Sequence, residues 1–277
     1  RNTGLELSLG YGHTWNNNFR WDSNFTLSHN KNKIKELVRD YVHPETGELI
    51  NKDRLDVGGL GKARFILKEG GTLGDLYTQS DLKRDDNGMV DIDPTGIVAI
   101  ENNLPDIKLG SVFPKANLAW SNHFSWKGIS LSALFTARIG GIVYSATEAA
   151  MDQYGVSERS ALARDNGGVL VNNRTLVDAQ NYYTTIGSES GLPQYYTYNA
   201  TNVRLQEASI GYLIPRKWLG NVCDIQVSVI GRNLWMIYNK APFDPESVAT
   251  TDNYYQGIDY FMLPSTRNIG FNVKINF

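Results

Sequence analysis

From Thr266 to Phe277 the chain reads TRNIGFNVKINF, and every odd position after Arg267 is apolar: Ile269, Phe271, Val273, Ile275 and Phe277. Asn268, Asn272, Lys274 and Asn276 are polar, with Gly270 between them. Side chains on a strand point alternately to two faces, so this stretch predicts a β-strand with one greasy and one wet side. It runs to a final aromatic with no polar tail, which predicts an end that is tied down and not frayed.

The same alternation recurs upstream. Leu5, Leu7, Leu9, Tyr11 and Trp15 share one phase, Asn16-Asn17-Asn18 supplies a turn, and Phe19, Trp21, Phe25 and Leu27 share a phase on the return. Ala63, Phe65 and Leu67 begin a weaker pair that turns at Gly70-Gly71 and returns over residues 72–82. Ala116, Leu118, Trp120, Phe124 and Trp126 then lead through Lys127-Gly128 into Ile129, Leu131, Ala133, Phe135, Ala137 and Ile139. Val203 and Leu205 change phase near Glu207 before Ala208, Ile210, Tyr212 and Ile214, which predicts a bulge. After a turn over residues 215–221, Cys223, Ile225, Val227 and Val229 run back.

Alternation alone does not say which face meets water. A soluble sandwich buries its apolar face, whereas a transmembrane barrel shows that face to lipid. Length favours the barrel, because soluble strands cluster near about 5 to 6 residues and a tilted spanning strand needs about 9 to 11. The connections between the segments run short, long, short, long, as in barrels whose periplasmic turns are short and outer loops long. The reading is all-β: about nine strands from the C-terminal portion of a large antiparallel transmembrane β-barrel, with long extracellular loops. Ile269, Phe271, Val273, Ile275 and Phe277 would then face lipid. Glu6, Arg20, Asp22, Arg138, Arg204, Gln226, Asn272 and Lys274 would face a wet lumen.

Composition changes the picture only by exclusion. The 277 residues carry a formal net charge of -2 with 41% hydrophobic residues, which leaves no basic footprint for nucleic acid. A single cysteine, Cys223, excludes an internal disulfide and a cysteine metal cage. The four histidines have no metal-ligand spacing, and there is no Gly-x-Ser-x-Gly elbow or phosphate-cradling loop, so the sequence points to no enzyme and no cofactor. The carboxylates of Asp85, Asp86, Asp91 and Asp93 admit calcium, but their spacing misses the helix-flanked loop, so a solvated turn is the preferred reading. The long loops hold a helix over about residues 146–154 and clusters of tyrosine: Tyr182, Tyr183, Tyr195 and Tyr196, then Tyr254 and Tyr255. These suit contact with a substrate or partner, or self-packing of a long loop. The chain opens RNTGLELSLG, with no initiator Met or signal peptide, and so reads as a part of something longer or as a partial record of it.

Particular stretches are familiar. Asn202-Val203-Arg204-Leu205-Gln206-Glu207-Ala208-Ser209-Ile210-Gly211-Tyr212 with Pro215, Gly231-Arg232-Asn233-Leu234 with Phe243-Asp244-Pro245-Glu246, and Pro264-Ser265-Thr266-Arg267 resemble the SusC/RagA family of TonB-dependent outer-membrane transporters. Gly4-Leu5-Glu6-Leu7 with Asn30-Lys31-Asn32-Lys33 is similar to an earlier hairpin of the same barrels. Family barrels have about 22 strands around a plug, so the resemblance implies that plug, TonB-contacting segment and early strands are missing from this sequence. It implies energy-coupled import of oligopeptides or glycans through a Gram-negative, Bacteroidetes-like outer membrane, with a SusD/RagB-like surface lipoprotein, the TonB complex and the remainder of the same barrel as partners. Tyr154-Gly155-Val156-Ser157 and the loop from Tyr254 to Phe261 look more like the peptide importers. A soluble glycan-binding sandwich and a barrel enzyme stay as alternatives.

Overall fold

The computed structural model describes residues 1–15, 18–250 and 255–277. Its main body is a seven-stranded antiparallel sheet in simple up-and-down order. The strands are β1 (Asn2–Thr14), β2 (Arg20–Asn32), β3 (Ala116–Trp126), β4 (Ile129–Ile139), β5 (Asn202–Ile214), β6 (Asp224–Asn239) and β7 (Asn268–Asn276). Among the described residues no helix is long and apolar enough to cross a membrane, which says nothing about crossing by strands.

Seven strands stand where the sequence pattern predicts nine. Residues 63–68 and 75–78 are strands, but they join Arg54–Leu60 and Ile107–Ser111 in a separate four-stranded sheet. The reason is visible in their burial. Phe65, Ile66 and Leu67 are consecutive and all buried, so both faces of that strand are packed, and its 6 residues are too few to span a bilayer. β2 therefore pairs directly with β3. The sorting of connections survives: turns at 15–19, 127–128 and 215–223 alternate with connections at 33–115, 140–201 and 240–267.

Residues opposed across an antiparallel pair share a face. The register therefore draws apolar rows across the sheet, such as Leu9, Phe25, Trp120, Phe135 and Leu205, or Trp21, Phe124, Leu131, Ile210, Val229 and Phe271. Asn122 and Ser23 lie within this apolar face and both are satisfied by indoles. Trp21 Nε1 donates to Asn122 Oδ1 at 3.1 Å, and Trp120 Nε1 donates to Ser23 Oγ at 3.0 Å. Nothing among the described residues covers the face: Ile269 is 75% exposed and Phe271 69%. A sandwich seals such residues between two sheets, and among the described residues no second sheet lies over them.

At the short-turn end the rings form a band, with His13 4.5 Å from Trp15, Trp15 5.3 Å from Phe19 and Phe19 6.2 Å from Phe124. Of the predicted Asn16-Asn17-Asn18 turn only Asn18 falls among the described residues, at φ 61. The predicted bulge is present: Leu134 opposes Glu207 and Phe135 opposes Leu205, which leaves Gln206 unpaired. That extra residue keeps Leu205 and Ala208 on one face.

The three long connections fold together into a cap. Phe65, Leu76, Val98 and Val112 from the first, Tyr144, Ala149, Ile186, Leu192 and Tyr196 from the second, and Ile258 from the third share one core. Residues 142–145 pair with 197–199 and, in parallel, with 258–259, so a strand ladder ties the second connection to the third. The cap holds three helices, α1 (Ala146–Gln153), α2 (Glu158–Asp165) and α3 (Ala179–Gly187). Each starts at a capping side chain: Ser145 accepts from the Glu148 N–H, Ser157 from Ser160 and Asp178 from Asn181. α1 matches the helix predicted from sequence; the other two interrupt what the sequence pattern leaves irregular.

Candidate functional site

The polar face of the sheet is lined by short hydrophilic side chains and ion pairs. Arg20 Nε lies 2.6 Å from Asp22, and Arg232 Nε lies 2.8 Å from Glu207 on the neighbouring strand. Two open depressions of about 670 and 580 Å³ run along the sheet, the first flanked by Glu6, Asn117 and Arg138, the second by Asp22, His123 and Glu207. Asn272 and Lys274 are exposed on this side of β7, opposite in phase to Ile269, Phe271, Val273 and Ile275. Phe277 follows the strand and is 89% exposed.

Arg138 and Arg204 belong to the junction with the cap. Arg138 Nη2 donates to the Val112 carbonyl at 2.7 Å and so holds the first connection. Arg204 is buried, donating to Asp244 Oδ1 at 2.9 Å and to Asn202 Oδ1 at 3.3 Å, with Glu246 3.3 Å away. Its predicted role as a water-washed lumen residue is corrected: a cation desolvated to this degree needs partners, and two carboxylates of the third connection supply them. Ser265 donates to the second oxygen of Asp244. Burial alone would raise the Asp244 carboxyl, but the bonds from Arg204, Ser265 and the Glu246 N–H outweigh it and hold the group below the usual carboxylate range.

The tyrosines of the second connection surround a buried carboxylate. Asp152 accepts from Ser157 Oγ at 2.5 Å, from Arg159 Nε at 2.9 Å and from the Tyr196 hydroxyl at 2.9 Å. The Arg159 guanidinium lies 4.9 Å from the centre of the Tyr196 ring. Burial, with the adjacent Asp152 charge, pushes the Tyr196 phenol far up. Tyr196 is 1% exposed and belongs to the core of the cap. Tyr182, Tyr183 and Tyr195 are half-buried against the same core, which is the self-packing the sequence allowed. Burial pushes the Tyr182 phenol up to about 12. Tyr255 is 42% exposed with its ring 6.4 Å from Phe65, and Tyr254 lies outside the described residues.

The exposed aromatics of the cap are different ones. Tyr154, Tyr260 and Phe261 are 76%, 51% and 59% exposed and border a third cavity, of about 520 Å³, between α1 and residues 187–190. The sequence flags their stretches without singling them out, because exposure on a loop has no periodicity to betray it.

In the stretch from Asp85 to Asp93, where the sequence reading prefers a solvated turn to a calcium site, Asp91 pairs with Lys83 at 2.8 Å and two other carboxylates hold turns. Asp85 Oδ1 accepts from the N–H groups of Asn87 and Met89, and Asp93 Oδ1 from those of Thr95 and Ile97. Among the described residues no group of three or more histidine, cysteine or carboxylate side chains is placed to hold a metal.

No family model matches the chain. TonB-dependent receptor P3 of Formosa agariphila is 25% identical over 99% of this chain, and TonB-dependent receptor P26 of the same organism is 24% identical over all of it. Among solved structures, the RagAB peptide importer in its closed-closed state superposes on 100% of the chain with a TM-score of 0.67 at 18% identity. The open-open state gives 0.65 at 17%. The chain spans 28% and 29% of the curated relatives and 29% and 28% of those two structures. Sequence and fold together relate this chain to the TonB-dependent receptors, over a stretch that covers less than a third of their length.

Proposed function

We propose that the chain forms wall and outer cap of a SusC/RagA-type importer in a Gram-negative, Bacteroidetes-like outer membrane. Such an importer takes up oligopeptides or glycans with a SusD/RagB-like surface lipoprotein and draws on TonB through a region not present in this sequence. The observation that carries the reading is the sheet itself. One face is apolar in register across seven strands and uncovered, the other is polar, and all long connections leave from one end.

Lipid is the natural cover for the apolar face. Ile225 and Trp235 share that face of β6, and the ten residue steps from one to the other extend about 33 Å along the strand. At a barrel tilt near 40° that rises about 25 Å, the height of the apolar band of a transmembrane barrel. The aromatic band at the short turns falls where ring side chains meet headgroups. β1 and β7 are the two edges of the sheet and are exposed along their whole length. Long apolar edges template aggregation unless paired, which supports further strands of the same barrel as their partners. The polar face then lines the lumen or meets a plug, and Asn272 and Lys274 are wet.

The test is accessibility in native outer membranes. Single cysteines at Phe271, Asn272, Val273 and Lys274, in a Cys223→Ser background, are challenged with a membrane-impermeant maleimide and with a lipid-soluble one. The reading expects Asn272 and Lys274 to react with the first and Phe271 and Val273 only with the second. Equal reaction of all four with the impermeant reagent would overturn it.

A further inference from the structure

We propose that the cavity on the outer cap binds a cationic group, specifically a lysine or arginine side chain of a peptide, held by Glu189 among Tyr154, Tyr260 and Phe261. The inference rests on the importer reading only for what brings a peptide there; the binding chemistry stands on the cavity alone.

The one ionised side chain around the space and two of the helix ends that border it favour positive charge. Glu189 lines it and has no ion-pair partner among the described residues. No lysine, arginine or histidine lines it. The C-terminal ends of two helices, α1 at Gln153 and α3 at Gly187, both border it, and helix C-termini carry partial negative charge. They approach so closely that a Cβ on Gly187 would sit 2.5 Å from the Ala149 carbonyl oxygen. A carboxylate and two negative helix ends at one opening repel an anion and do little for a neutral sugar.

The rings supply the second half of the site. Tyr260 and Phe261 lie edge to face at 5.1 Å, and Tyr154 stands exposed at the other side. Exposed ring faces attract ammonium and guanidinium groups through the quadrupole. Phe261 is held in the left-handed region at φ 52, which a bulky residue rarely adopts, while its N–H donates to Thr147 Oγ1 of α1 at 2.7 Å. The backbone that carries the ring is thus tied to the helix. Tyr144 is 7% exposed and lines the cavity floor, and its phenol makes no hydrogen bond among the described residues. Burial and the Glu189 charge push it up to about 12, so at neutral pH it is an uncharged oxygen free to accept from an N–H. The rest of the floor is small, with Ala146, Ala149 and Gly61, leaving room for an extended side chain.

The experiment is calorimetric titration of the detergent-purified protein with blocked tripeptides, acetylated and amidated so that only the central side chain is charged. Ala-Lys-Ala and Ala-Arg-Ala are compared with Ala-Gln-Ala, Ala-Glu-Ala and maltotriose. The cationic peptides are expected to bind and the other three to fail as competitors. Glu189→Gln weakens binding about tenfold, and Phe261→Leu about threefold to tenfold. Circular dichroism and heat-modifiable mobility confirm that each variant is folded. Equal affinity for Ala-Gln-Ala, indifference of a folded Glu189→Gln variant, or no binding of either cationic peptide would each overturn the inference. Tighter binding of maltotriose would assign the cavity to glycans instead. A folded barrel that passes the cysteine test yet fails this one loses only the cavity proposal; the reverse result loses only the importer.

Discussion

Arg204 on strand β5 and Asp244 in the third long connection are joined by an ion pair 2.9 Å long, with 6% and 9% of their side chains exposed. Asn202, Glu246 and Ser265 close around the same pair. Breaking a buried pair from one side leaves an uncompensated charge, which costs about 3–5 kcal/mol. Arg204→Ala is therefore expected to loosen residues 240–267 while the sheet stays formed. Amide hydrogen exchange of that connection against β3 and β4 measures it. The double variant Arg204→Met with Asp244→Leu, which removes both charges, should restore most of the lost protection; if it is as loose as Arg204→Ala, the charge argument is wrong.

The same carboxylate sets a pH limit. Asp244 titrates lower in the folded protein than in the unfolded chain, so its contribution is fully present above the unfolded value near about 4 and lost as pH falls through the lower folded value. Protease resistance of residues 240–267 should hold from neutrality to about pH 4 and then decline with acid. Asp244→Asn should be weaker at pH 7 and flatter below pH 4. A wild-type decline centred near pH 6 would assign the limit to another group.

Tyr196 gives a prediction that separates packing from ligand contact. Its hydroxyl donates to Asp152, which keeps Ser157 and Arg159 as partners when the phenol is removed. Tyr196→Phe should lower stability by about 1–3 kcal/mol without weakening capture of any peptide. Asp152→Ala leaves Arg159 its second carboxylate, Glu148 at 3.7 Å, and partial access to water, but it removes the acceptor of the buried Ser157 and Tyr196 hydroxyls and should cost about 1–3 kcal/mol for each. Unfolding curves in denaturant compare the two variants. Loss of ligand affinity in a stable Tyr196→Phe protein would return that residue to the binding surface.

How far the sequence carried depended on which physics governed each stretch. Period-two alternation has a direct structural meaning, so the wall strands, their faces and the bulge beside Gln206 were readable from residues such as Leu205 and Ala208. The cap was not. Phe65-Ile66-Leu67 is apolar on both faces, and a continuous apolar run does not distinguish a spanning strand from one packed inside a folded loop. α2 and α3 are 8 and 9 residues long, and their caps at Ser157 and Asp178 were the only local sign of them. The tyrosine clusters left packing and contact open because composition does not reveal depth: Tyr196 is buried, while Tyr154 and Tyr260 are open to solvent. Arg204 was assigned the right face and the wrong environment, since its partners lie 40 residues away in a connection without periodicity.

β7 provides the prediction with the sharpest contrast between neighbours. Phe271 and Val273 lie at the middle of the nine-residue strand on the apolar face, paired with Val229 and Val227. Asn272 lies between them on the other face, opposite Ser228. If hydrocarbon covers the first face, an arginine at position 271 or 273 must hold its charge near the bilayer midplane, at about 2–4 kcal/mol. Ile275→Arg, two residues closer to the short-turn rim where headgroups take the charge, should cost about 1 kcal/mol or less. Asn272→Arg places the same side chain among water and polar neighbours and should be nearly neutral. Urea titration of the variants refolded into lipid vesicles, followed by tryptophan fluorescence, ranks them. The order expected is Phe271 and Val273 worst, Ile275 intermediate and Asn272 mildest. A flat series would mean that the apolar face of the sheet meets something other than lipid.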